Sequence, residues 1–275
     1  MIQYPLNKLL FIDIETVGIS SNFENFKRDY PSLCYQFEHY LDWFLKRFPE
    51  DSDKNKEDIF VNRAALVPEF SKIVCVSVGF IGPDGTIKKQ TFFNSDETQL
   101  LKDVNNLLNR VDKLGFVLCG HNIKNFDIPV LGKRMIINDI LPSTILPTPD
   151  TKPWEIKAVD TKDIWQFGQF GAISSLELMC ISLGIESSKN MEVTGNKVHD
   201  AFWNENKYQE IQDYCEKDVE VLINVVKKIK NLKYLLWFLM ITNLLIYLKK
   251  WKISKRIWRP NLTKIYIMKF QKSLV

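Results

Sequence analysis

The apolar positions of this chain fall first into short unbroken runs and later into helical spacings. In LLFIDIETVG, residues 9–18, four apolar residues run up to Asp13, and Ile14 then separates Asp13 from Glu15. A run of this length predicts a buried strand over 9–14. Residues two apart on a strand share a face, so Asp13 and Glu15 project side by side with Phe11, and Ile12 and Ile14 take the other face. Residues 72–81, KIVCVSVGFI, predict a second strand. GPDG at 82–85 predicts a turn, and 86–94 returns as the hairpin partner. Over 96–112, Leu100, Leu101, Val104, Leu107, Leu108 and Val111 recur at helical spacing. A short strand over 116–120, a helix over 128–138, a proline-rich loop over 142–153 and a strand over 155–159 follow. The last predicted elements are a helix over 174–183, opened by a Ser174–Glu177 capping box, and a longer helix over 206–231. Residues 20–70 read as an insertion. Its segment 25–48 is aromatic-rich and helical, with Tyr40, Trp43, Phe44 and Phe48 spaced to pack on the main body, and 50–58 is a charged loop. Strands first, then helices interleaved with strands, predict an α/β domain with a mixed sheet. No internal repeat is visible.

Composition narrows the class. With 275 residues, 45% hydrophobic and 25% charged, the chain is ordinary for a globular protein of one large domain with additions or two small ones. Five scattered cysteines (Cys34, Cys75, Cys119, Cys180, Cys215) without a C-x-x-C pair argue against a disulfide framework or a zinc site. They point to a reducing compartment. The N-terminal sequence lacks a basic segment followed by a long apolar stretch, so no signal peptide is expected and the location reads as cytoplasmic. Three histidines are too few for a histidine-rich metal site.

The D-x-E pair raises a chemical question. Two carboxylates this close repel, and each raises the pKa of the other. A cation between them removes the conflict, and oxygen ligands suit Mg2+ or Mn2+. The plainer alternative is a strand end running into a solvated turn. Further carboxylates bear on the choice. GHNIKNFDIPVL, residues 120–131, leaves a strand and enters a helix, with Asp127 at the transition, a common place for site residues in α/β folds. Asn122 and Asn125 can hydrogen-bond phosphate or sugar, and Phe126 offers a face for a base. Equally, Asp127 can cap the helix and Phe126 can be core. In YCEKDVEVL, residues 214–222, Tyr214 and Asp218 are four apart and share a helix face.

Taken in order, D-x-E on a first strand, N-x-x-N-F-D after a later strand and Y-x-x-x-D on a late helix resemble the DEDD exonuclease superfamily. The tyrosine marks its Y branch, since the position where the H branch carries histidine is Asp213 here. The resemblance is nearest to the 3′–5′ proofreading exonuclease domain of family B DNA polymerases and its stand-alone bacterial relatives, and covers roughly residues 6–230. FSKIVCVSVGF, VDTKDIWQFG and SLELMCISLGI are also similar to that group. It implies an α/β ribonuclease H-like fold with a mixed central sheet flanked by helices. It also implies two Mg2+ (or Mn2+) ions held by Asp13, Glu15, Asp127 and Asp218, with Asp13 bridging, Asp218 on the ion that activates water, and Tyr214 orienting that water. Thr16, Asn122, Asn125 and Phe126 are the expected grip on the terminal nucleotide. Asp160 and Asp163 read as supporting residues outside the site. The implied substrate is single-stranded DNA or 3′ ends of DNA, with RNA as an alternative. A catalytically silent nucleic-acid-binding module on the same fold is a second alternative. The chain has no room for a polymerase domain, so proofreading would serve a DNA polymerase in trans.

The domain reading is an exonuclease domain over 1–231, containing the insertion at about 20–70, and a tail over 232–275. The net charge of +4 hides an asymmetry. No acidic residue follows Glu220, and 13 of the 37 Lys and Arg lie beyond it. The tail couples a fifteen-residue apolar run, 234–248, to a stretch of Lys, Arg and Trp. The run falls short of the roughly 20 residues a membrane span needs. Three readings stand: a nucleic-acid grip, a membrane-surface segment, or an atypical end such as a shifted reading frame.

Overall fold

The computed structural model describes residues 2–148, 150–169, 171, 175–188 and 191–255; of 232–241 and 243–255 it describes the backbone only. The chain divides into two compact units, Met1–Lys228 and Ile229–Val275.

The first unit is built on a five-stranded sheet in the order β3-β2-β1-β4-β5. Strands β1 (Leu9–Gly18), β2 (Ser71–Ile81) and β3 (Ile87–Phe93) form an antiparallel meander. Strands β4 (Val117–Gly120) and β5 (Ala158–Asp160) run parallel to β1. This is the mixed α/β sheet that the residue pattern predicts, in the ribonuclease H-like form that the resemblance implies. Strand β1 runs four residues beyond its apolar core because β2 pairs it to its end across a register shift between Glu15 and Thr16, with Thr16 opposite Ile73 and Gly18 opposite Ser71. Pairing supplies what hydrophobicity does not signal.

Alternation along β1 sorts the two faces. Leu10, Ile12 and Ile14 join Val76, Val78 and Leu118 under helices α5 (Glu97–Lys113) and α6 (Asp127–Ile137). The opposite face, with Val17, Val74 and Cys75, is covered by helix α9 (Val198–Trp203) and the start of helix α10 (Tyr208–Lys255), through Ala201, Phe202, Ile211 and Cys215. Asp13 and Glu15 share that second face. Close approach is possible because Gly79 of β2 has no side chain: a Cβ there would lie 2.8 Å from Val219 of α10. Between α5 and α6 a buried Glu97–Arg134 pair ties the layer together, and Glu97 Oε1 also accepts from the N–H of Ile73 at 2.7 Å.

The insertion departs from its sequence pattern. One helix over 25–48 is expected; the chain forms three, α1 (Phe23–Asp29), α2 (Pro31–His39) and α3 (Leu41–Arg47), with α4 (Lys56–Arg63) beyond. Pro31 carries no N–H and suits a helix start, and Tyr30 and Tyr40 both leave helical geometry. The break at Tyr40 changes the phase of the stripe. Phe44 goes into a core of Phe23, Phe26, Phe37, Phe60 and Phe70, while Tyr40 and Trp43 stay 50% and 48% exposed. Their expected packing on the main body is thus corrected. The expected loop at 50–58 holds a short 3-10 turn and the start of α4. Its Asp51 is buried against Arg63, which holds the carboxylate down at about 2.

Three further elements differ. The predicted strand at 155–159 is a 3-10 turn, Pro153–Glu155, followed by the short β5. Helix α7 (Thr161–Gln166) and helix α9 have no clear apolar period. Helix α8 (Leu176–Leu183) is capped by Ser175, which accepts from the N–H of Leu178 at 3.2 Å; Ser174 lies outside the described residues. Of the second unit, helix α10 continues to Lys255. Among the described residues no helix is long and apolar enough to cross a membrane. The side chains on which the readings of the tail rest lie outside the described residues.

Candidate active site

The site forms where three separate stretches meet beside β1. Asp13 and Glu15 come from the strand itself, Asp127 from the first turn of α6, and Tyr214 and Asp218 from one face of α10. The charges acting on Asp13 are those of Asp218, Glu15 and Asp127, in that order. Together with burial, the larger effect, they push its pKa well above the usual carboxylate range. Asp127 and Asp218 therefore lie near enough for their charges to act on Asp13. Burial pushes Asp127 up to about 7; the nearby charge of Asp160 adds to this, and the N–H groups of Asp127 and Ile14 oppose it.

Tyr214 is almost fully buried, and the charges of Glu15, Asp218 and Asp13 act on its hydroxyl. Burial, with the charges of Glu15, Asp218 and Asp13, drives the phenol far above its ordinary value. It stays protonated. Cys215, the next residue, adds a contact the motifs do not announce. Its Sγ–H donates to the Asp13 carbonyl at 3.4 Å and to Asp13 Oδ2 at 3.6 Å. One ligand atom each from Asp13, Glu15 and Cys215 lies within 4.8 Å of the others. The helical signal for Cys215 is its place three residues before Asp218, on the same turn.

The four expected gripping residues fare differently. Thr16 commits its hydroxyl to the Ala65 carbonyl at 2.8 Å, so it ties β1 to the insertion. Asn122 takes a left-handed conformation with φ of 59°. Its Oδ1 accepts from Asn125 Nδ2 and from Lys162 Nζ, both at 3.1 Å. Asn125 is exposed, and Phe126 packs partly against the main core. These residues form one tight turn, in which the N–H groups of Asn125 and Phe126 both donate to the Asn122 carbonyl at 3.0 Å. Beside Tyr214 and Asp218 opens a cavity of about 300 Å³, whose walls include His121, Leu176, Glu177 and Cys180.

The donor set suits a hard divalent ion. Four carboxylates offer oxygen ligands, and the effect of three of them on the fourth is repulsion that a cation would cancel. Asp13, Glu15, Asp127 and Asp218 are the residues that could hold one. The Cys215 thiol, pushed well above its usual value by burial, stands beside this set as a neutral donor.

A ribonuclease H-like sheet bearing such a cluster defines the class, an α/β protein with a buried acidic cluster. Comparison with known proteins is more particular. Residues 66–226 match the family described as "Predicted 3'-5' exonuclease related to the exonuclease domain of PolB", and the chain belongs to that family. Among solved structures, it is similar to the family B DNA polymerase of the archaeon Pyrobaculum calidifontis, with 15% identity and a TM-score of 0.53. That match covers 82% of this chain and 24% of the polymerase, so the chain spans about a quarter of its length. It is also similar to E. coli Exonuclease I in complex with a dT13 oligonucleotide, with 13% identity and a TM-score of 0.39, over 85% of this chain and 43% of that one. No curated protein matches the chain.

Proposed function

We propose that the chain is a metal-dependent 3′–5′ exonuclease that hydrolyses single-stranded DNA from the 3′ end, using two Mg2+ or Mn2+ ions. The observation that supports this reading is the convergence of Asp218, Glu15 and Asp127 on Asp13, from three distant parts of the chain. Such a buried concentration of like charge destabilises a fold unless a cation uses it.

In this reading Asp13, Glu15, Asp127 and Asp218 would hold the ions. The ions would lower the pKa of a water and stabilise the attacking and leaving oxygens. Tyr214, held protonated, positions the attacking water by hydrogen bonding and leaves deprotonation to the metal site. The cavity beside Tyr214 and Asp218 gives the terminal nucleotide room, and the Asn122–Phe126 turn is the expected contact to its sugar and base. Residues 1–231 constitute the catalytic domain.

The test is digestion of 5′-labelled single-stranded DNA with Mg2+ or Mn2+, beside RNA of the same sequence and an EDTA control. A ladder shortening from the 3′ end, lost in EDTA, supports the reading. Faster loss of RNA would replace DNA as the substrate. No cleavage of either by folded protein would favour a silent binding module.

A further inference from the structure

The residue that delivers Asp127 is not free to choose its position; the turn before it is clamped by four consecutive residues of a different segment. Asp160 ends β5 and caps α7. It is 2% exposed. Its Oδ1 accepts from the N–H of Asn122 at 2.8 Å and of Lys162 at 2.9 Å, and its Oδ2 from the N–H of Lys124 at 3.2 Å. Thr161 Oγ1 lies 3.0 Å from His121 Nδ1 and donates to the Gly120 carbonyl at 3.3 Å. Lys162 reaches Asn122 Oδ1, and Asp163 pairs with Lys124 at 2.9 Å.

This arrangement costs something. Asp160 adds negative charge beside Asp127, whose own charge already acts on Asp13. A neutral residue could cap a six-residue helix as well. What a neutral side chain cannot do is accept from both arms of the turn at once. An amide would offer one acceptor and one donor, and the donor would face the N–H of Asn122 or of Lys124. Asn122 is left-handed, a conformation that asparagine adopts more readily than most residues. The Asp160 carboxylate holds it there, five residues before the site.

We infer that Asp160 is a positioning residue for the reaction, whose carboxylate fixes the Asn122–Phe126 turn and thereby places Asp127 in the metal site. This deepens the exonuclease reading and rests on it. The chemistry of a two-ion site tolerates little misplacement: an error of about 1 Å can cost on the order of a hundredfold.

The experiment compares wild type, Asp160→Asn and Asp163→Asn. Measured are kcat and KM for single-stranded DNA, the Mg2+ concentration for half-maximal rate, thermal transitions, and Mn2+ binding by calorimetry. For Asp160→Asn the expected result is a fall in kcat of about a hundredfold, with KM for DNA within about threefold. The Mg2+ requirement should rise and Mn2+ binding should weaken. Asp163→Asn, which loses only a half-exposed pair, should stay within about twofold. A folded Asp160→Asn protein with wild-type kcat and Mn2+ affinity overturns the inference. So does a loss confined to KM for DNA. If wild type cleaves nothing, the exonuclease reading fails, and Mn2+ calorimetry still decides: equal affinity in the two proteins rejects the positioning role. If Asp160→Asn does not fold, the pair Thr161→Val and Lys162→Met removes only the side-chain contacts to His121, Gly120 and Asn122. A roughly tenfold lower kcat at unchanged melting supports the role, and an unchanged kcat overturns it.

Discussion

At the scale of single residues, the site holds its carboxylates against their own repulsion. Asp13 and Asp127 both have raised pKa values. A group whose pKa is higher folded than unfolded stabilises the fold fully below its unfolded value, near 3.8 here. That stabilisation is lost as pH rises through the folded value, about 7 for Asp127. Metal-free protein should therefore melt at a higher temperature at pH 5 than at pH 7.5, and Mg2+ should raise melting more at pH 7.5. Thermal scans in EDTA and in Mg2+ check both signs. For the same reason Asp13→Asn should melt no lower than wild type in EDTA, while losing activity by about a thousandfold or more on single-stranded DNA. Retained activity would remove Asp13 from the metal site. Tyr214→Phe deletes only the hydroxyl proposed to position water and should lower kcat by about tenfold to a hundredfold with little change in KM. An unchanged kcat would leave the hydroxyl without a role in the reaction.

At the scale of elements, the question is what holds the scaffold beneath these residues. The Glu97–Arg134 pair is buried on both sides, and Arg134 Nη1 also donates to the Pro68 carbonyl at 3.0 Å. Arg134→Met would leave the Glu97 carboxylate uncompensated, so unfolding by denaturant should show a loss of about 3–5 kcal/mol. Equal stability would mean that Glu97 finds its proton or another partner. Elements with a strong period were legible in the chain: β2, α5 and α6 all stand where alternation or helical spacing puts them. Elements held by pairing or tertiary contact were not. The last four residues of β1 owe their extension to β2, and α9 owes its place to the sheet face it covers. The aromatic stripe at Tyr40 and Trp43 misled because its helical phase assumes an unbroken helix, and Pro31 and Tyr40 break it.

At the scale of the whole molecule, the two compact units separate at Lys228, close to where the acidic residues end. The domain proposal predicts that residues 1–231 fold cooperatively and cleave single-stranded DNA within about threefold of the full chain, since a core of this size is sufficient for an independent domain. A truncated protein that folds yet loses activity would assign residues 232–275 a part in catalysis. The sequence by itself determined the α/β class, the D-x-E pair on a buried strand and the order of the later carboxylates. Those follow from residue spacing, which a chain displays in one dimension. Only the tertiary structure decided that the charges of Asp127 and Asp218 act on Asp13, that Cys215 hydrogen-bonds to Asp13, and that Asp160 clamps the turn behind Asp127. These are contacts between residues far apart in the chain, and they exist only once strand pairing and helix packing have brought three segments to one face of the sheet.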